Sequence, residues 1–76
     1  VDQGRDYRDI IPAGDWTHSD FVAARDILGL TQDQLAAELG YTRQGIGRIE
    51  RNLGPVTRVM QLAMTYLLER HAGRAQ

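Results

Sequence analysis

The stretch LTQDQLAAELGYTRQGIGRIERN, Leu30 to Asn52, constrains the fold more than any other part of this chain. Thr31 and Gln34 form a T-x-x-Q capping box, in which each side chain satisfies a backbone donor at the other's position. Leu35, Ala36 and Leu39 then recur at helical spacing until Gly40, a stop signal. Thr42 caps a second helix whose buried stripe is predicted to be Ile46, Ile49 and Leu53. Two helices of about three turns, joined by Gly40-Tyr41-Thr42 with the small Ala36 at their crossing, have the layout of a helix-turn-helix.

The second of these helices carries Gly45 and Gly47 in its interior, where each glycine costs roughly 0.5–1 kcal/mol relative to alanine. Gly47 is predicted to share one exposed polar face with Arg43, Gln44, Arg48 and Arg51, gathered by the helical repeat. A bare position on such a face lets a ligand approach the backbone closely. The alternative is that both glycines are neutral changes tolerated by packing.

Around this unit the chain divides into an arm over residues 1–16, a helical domain over 17–71 and a tail over 72–76. The arm contains Pro12 and Gly14, shows no helical period, and offers Ile10, Ile11 and Trp16 as docking groups. Thr17, with Asp20 three residues on, starts a first helix in which Phe21, Ala24 and Leu28 recur until Gly29. Asn52 suits the left-handed conformation at a helix end, and Gly54-Pro55 is predicted to open a fourth helix from Val56 to about His71. That helix is apolar around more than half its circumference, with Thr57, Arg58, Gln61, Thr65 and Glu69 as the polar wedge. One flank should cover the core, and the other, with Val59, Leu62, Met64, Tyr66 and Leu68, is expected to form a subunit interface. The fourth helix could otherwise be the centre of a bundle, or be covered by the arm.

A chain of 76 residues forms one small domain with a marginal core. With no cysteine, disulfides and thiolate metal sites are excluded. No apolar run has the length of a membrane span and the N-terminus lacks the order of a signal peptide, so the expectation is a soluble intracellular protein. The net charge of −1 is unevenly placed, with six aspartates against three arginines in residues 1–30 and six arginines against four acidic residues in 31–76. Every basic residue is arginine, which suits planar bidentate contacts and is equally explained by the base composition of the source genome.

Residues 21 to 64 resemble the Cro/CI repressor-type (XRE-like) DNA-binding domain. The resemblance rests on Arg25, LGLTQDQLAAELG, the TRQGIGRIER helix with its acidic Glu50, and the apolar positions Leu35, Leu39, Tyr41, Ile46 and Ile49. It implies an all-α, four-helix, lambda repressor-like domain with an irregular N-terminal arm. It also implies that the helix after Thr42 lies in the major groove while the helix before it points its N-terminus at a phosphate.

Carried over to this chain, Arg43, Gln44 and Arg48 match base-reading positions, with Gly47 on the same surface. Gln32 takes the phosphate-clamping position, while Thr42, Arg51, Asn52 and Arg58 are placed for phosphates. Arginine can bridge guanine O6 and N7 and glutamine adenine N6 and N7, each pair contributing about 1–3 kcal/mol of discrimination. Arg25 and Glu50 match a partly buried salt bridge between the first and third helices. The family usually adds a fifth helix, so here the fourth is expected to make the dimer contact. The arm, acidic where some repressors have a basic one, is expected to pack on a neighbour or stay mobile.

The resulting expectation is a homodimeric repressor on double-stranded DNA in a bacterial cell, serving a phage, plasmid or other mobile-element operon. The alternative is an antitoxin-like module that grips a second protein partner and binds DNA secondarily. His18 and His71 lie far apart in sequence, no nucleophile stands beside a base, and no spacing suits a metal, so no enzyme activity, cofactor, metal or membrane association is expected.

Overall fold

Four threonines open four helices. In the computed structural model, which describes residues 7–74, the helices are α1 (His18–Leu28), α2 (Gln32–Leu39), α3 (Arg43–Glu50) and α4 (Arg58–Arg74), preceded by a 3-10 turn at Tyr7–Asp9. No strand occurs among the described residues. Thr17 with Asp20, and Thr31 with Gln34, close reciprocal capping boxes. Thr42 accepts the Gly45 N–H at 3.0 Å, and a glycine there has no side chain to close the box.

Thr57 accepts the Met60 N–H at 3.2 Å, which moves the start of α4 from the expected Val56 to Arg58. A hydroxyl that satisfies an orphan donor outweighs the preference of Pro55 for the first helical position. At its other end α4 continues past His71, so residues 72–74 belong to the helix rather than to a tail. α2 and α3 have 8 residues each, a little over two turns against the roughly three expected, because their threonine and glycine caps lie outside the helical repeat.

The ends are equally determined by residue type. Gly29 and Gly40 terminate α1 and α2 at φ 70° and 74°, and Asn52 takes the left-handed conformation at φ 61°. Beyond α3, Leu53 N–H donates to Arg48 O at 2.8 Å and Asn52 N–H to Ile49 O at 3.1 Å, the paired bonds of a Schellman motif. This reversal corrects one expectation. Leu53, predicted as part of the buried stripe of α3, is 55% exposed, since the helical repeat ends before it.

The core combines Phe21 and Ala24 of α1, Leu35 and Ala36 of α2, Ile46 and Ile49 of α3, and Met60, Met64 and Leu68 of α4. α3 packs on α2 and α1, and α4 packs on α1. Met64 and Leu68, expected at a subunit interface, are fully buried, because the repeat places them on the same side of α4 as Met60. Val59, Leu62 and Tyr66 remain exposed along a different stripe, and the Arg70 guanidinium lies 5.6 Å from the Tyr66 ring centre.

The arm, expected to pack on a neighbour or stay mobile, is docked on its own chain from Tyr7 onward. Ile11 and Trp16 are buried, whereas Ile10 is half-exposed. Gln61 makes the attachment: its Oε1 accepts the Trp16 N–H at 3.1 Å and its Nε2 donates to Gly14 O at 2.8 Å. Trp16 Nε1 donates to Pro12 O at 3.0 Å, closing the turn. The arm therefore covers the polar wedge of α4, not its apolar flank, because that wedge supplies hydrogen-bond partners for the arm's backbone. Asp2, Arg5 and Asp6, which carry part of the arm's mixed charge, lie outside the described residues. Among the described residues no helix is long and apolar enough to cross a membrane.

Candidate nucleic-acid interface

The site is built on one carboxylate. Arg25 donates to Glu50 from Nε to Oε2 at 2.5 Å and from Nη2 to Oε1 at 3.0 Å, a bidentate pair joining α1 to α3. Arg25 Nη1 also donates to Leu30 O at 3.0 Å, immediately before the α2 cap. The hydrogen bond to Glu50 raises the pKa of Arg25 above its ordinary value, against an opposing effect of burial, so the guanidinium stays charged.

Glu50 has a third donor. Gln32 Nε2, in the first turn of α2, donates to Glu50 Oε1 at 2.9 Å. A carboxylate only accepts, so the amide nitrogen must face it and the amide oxygen must turn the other way. Gln32 Oε1 consequently lies 4.0 Å from the position a Cβ on Gly47 would occupy. From the other side Arg51 Nη1 comes within 3.7 Å of the same position. Gly47, expected on an exposed surface, is therefore buried beneath two neighbouring side chains, having none of its own to hold them off. Gly45 has a different reason for being bare. A Cβ there would lie 3.3 Å from Thr42 Oγ1 and 3.6 Å from Tyr41 Cδ2, against the cap of its own helix.

Gln32, Thr42, Arg43, Gln44, Gly47 and Arg51 line an open depression of about 500 Å³. Its wall contains two arginines and no acidic side chain. The structure thus brings together six of the nine residues expected on this surface and separates three. Arg48 turns to the end of α3, where its Nη2 donates to Leu53 O at 3.3 Å. Asn52 lines a second concavity with Thr17, His18, Ser19 and Pro55, and Arg58 lines a third beside the arm.

Two contacts escaped the sequence reading. The bond from Gln32 to Glu50 joins residues 18 apart whose approach depends on how α2 crosses α3, and no local pattern announces it. The clamp by Gln61 was hidden because a glutamine in a polar wedge ordinarily faces solvent.

A short helix that offers arginine and glutamine from its first turn, beside the N-terminus of a preceding helix, defines a DNA-binding helix-turn-helix regulator. The comparison with protein families agrees: residues 23–63, more than half of the chain, match a helix-turn-helix family. The chain belongs to that family, the Cro/CI or XRE type of DNA-binding transcription regulator, which is regulatory rather than enzymatic. No characterised relative and no solved structure showed significant similarity to the chain.

Proposed function

We propose that this regulator is a homodimeric repressor that binds an inverted-repeat operator and blocks a promoter, its own included, in the nucleoid of a bacterial cell. The operon is that of a phage, a plasmid or another mobile element. The observation that carries the proposal is the depression between α2 and α3, where Arg43 and Gln44 stand at the start of the helix that would enter the major groove. Arg48 joins them by leaving the Leu53 carbonyl, a single exposed bond of 3.3 Å. Gln32, Thr42 and Arg51, in the same depression, hold backbone phosphates beside the reading residues, and Asn52 and Arg58, which line separate concavities, meet phosphates further along the duplex.

The exposed stripe Val59, Leu62 and Tyr66 supports the dimer, since a small domain gains stability by covering such a surface with a second copy. The same stripe supports a second reading, an antitoxin-like module whose α4 grips a different protein. Binding to duplex DNA across a salt series, with the mass of the complex recorded, tests the repressor. If about six phosphates are neutralised per dimer, the slope of log affinity against log salt is near −5. A monomer whose weak DNA binding ignores salt would exclude it in favour of the module.

A further inference from the structure

We infer that the groove between the arm and α4 is a binding site for a small aromatic carboxylate, with its ring against the arm and its charge on Arg58. The arm crosses the polar wedge of α4 without filling it. It leaves a cleft of about 300 Å³, at the small end of the roughly 300–1,000 Å³ range of ligand sites. Tyr7, Ile11, Pro12 and Trp16 form the arm side, and Leu62 borders it on α4. Such a wall suits a flat apolar body.

Along the groove the polar groups satisfy one another. Gln61 is used at both ends of its amide, accepting the Trp16 N–H at 3.1 Å and donating to Gly14 O at 2.8 Å. Thr65 Oγ1 donates to Gln61 O at 2.8 Å, Trp16 Nε1 to Pro12 O at 3.0 Å, and Tyr7 Oη to Glu69 Oε2 at 3.5 Å. A sugar or a nucleoside, which needs many hydrogen bonds once desolvated, would find few groups to answer it. Arg58 is the exception. Among the described residues its guanidinium has no hydrogen bond and no carboxylate partner. It opens α4, the end at which the helix dipole disfavours a cation, and Glu69 lies about 16 Å further along by the helical rise, beyond the screening length. Arg8, 5.1 Å from the Tyr7 ring centre, adds a second cation to the wall. An apolar ligand with one planar carboxylate on the arginine fork answers both the wall and the charge.

Arg58 is also proposed to meet a backbone phosphate, so the acid would compete with DNA for one guanidinium per protomer; this consequence rests on the DNA-binding reading. Trp16 is the single tryptophan, and its indole N–H resonance reports the groove in solution. The probes are naphthoate and its neutral amide, naphthamide, titrated by nuclear magnetic resonance against the wild-type chain and Arg58→Gln. The wild type is expected to bind naphthoate saturably and roughly 5-fold more tightly than naphthamide, and Arg58→Gln to hold the two alike. Equal affinities in the wild type would overturn the carboxylate assignment. Because Leu62 also belongs to the stripe proposed to meet a second copy, that copy is the competing occupant. An indole resonance that ignores both probes and moves with protein concentration would give the groove to the second copy and overturn the site. In DNA titrations, saturating naphthoate is expected to make the wild-type salt slope shallower by about 0.9 per protomer and to leave that of Arg58→Gln unchanged. An unaltered wild-type slope would overturn the competition, and a chain that binds no duplex would overturn the DNA reading, while the indole titration decides the groove in either case.

Discussion

The Gln32 amide nitrogen donates to Glu50 Oε1 at 2.9 Å, so the first turn of α2 is held by the last residue of α3. Because Glu50 also receives two bonds from Arg25, a single carboxylate sets both the crossing of the helices and the direction of the Gln32 carbonyl. Fold and recognition surface are linked through this group, and separable predictions follow from its partners.

Removing one member of the Arg25–Glu50 pair leaves the other charge partly buried and alone, since their side chains are only 19% and 8% exposed. Either Arg25→Ala or Glu50→Ala is expected to cost about 3–5 kcal/mol, much of the stability of a domain this small. Urea titration measures it. A midpoint unchanged in both variants would show that the pair does not hold the fold.

Arm docking depends on Gln61. Gln61→Leu fills a similar space and leaves the Trp16 N–H and the Gly14 carbonyl without their partner, at about 1–3 kcal/mol for each group. Trp16 is the single tryptophan, so its emission reports the arm directly and is expected to shift to the red as it meets water. An unshifted spectrum with full stability would mean that the arm is held elsewhere.

The two glycines of α3 should respond oppositely to alanine. At Gly47 the new Cβ meets only ordinary contacts, so the helix is expected to gain roughly 0.5–1 kcal/mol. At Gly45 the Cβ meets the capping hydroxyl of Thr42 at 3.3 Å, and the weakened cap is expected to cancel or reverse that gain. Thermal melts of the two variants decide this, and equal gains at both positions would contradict it.

Dimerisation is expected to depend on the exposed stripe of α4 and not on its buried flank. Leu62→Glu and Tyr66→Glu place a charge where the side chains are 59% and 60% exposed, so the monomer fold should survive. Sedimentation is expected to show a monomer with wild-type helicity. A dimer that persists in both variants would locate the contact elsewhere.

Much of this was legible in the sequence because it is locally encoded. The threonine caps, the glycine and asparagine ends, and the apolar repeat of α2 and α3 are decided within a few residues of each other. The reading weakened where a position depends on what lies opposite. Met64, Leu68 and Tyr66 all belong to one apolar helix, and only the packing of α1 against α4 decides that two of them are core and one is surface. Gly47 was recognised as anomalous, but its burial follows from two side chains that arrive from α2 and from the end of α3. Arg48 and Arg51 share one polar face in the sequence, and a carbonyl exposed by the turn at Asn52 draws only the first of them away.

The surface between α2 and α3 is proposed to read DNA sequence as a symmetric dimer. Selection from a randomised duplex library, with the selected sites sequenced, tests it most directly. The expected result is an enriched inverted repeat whose half-sites are centred about one helical turn, roughly 34 Å, apart. A library that emerges from selection without any enriched sequence would contradict it.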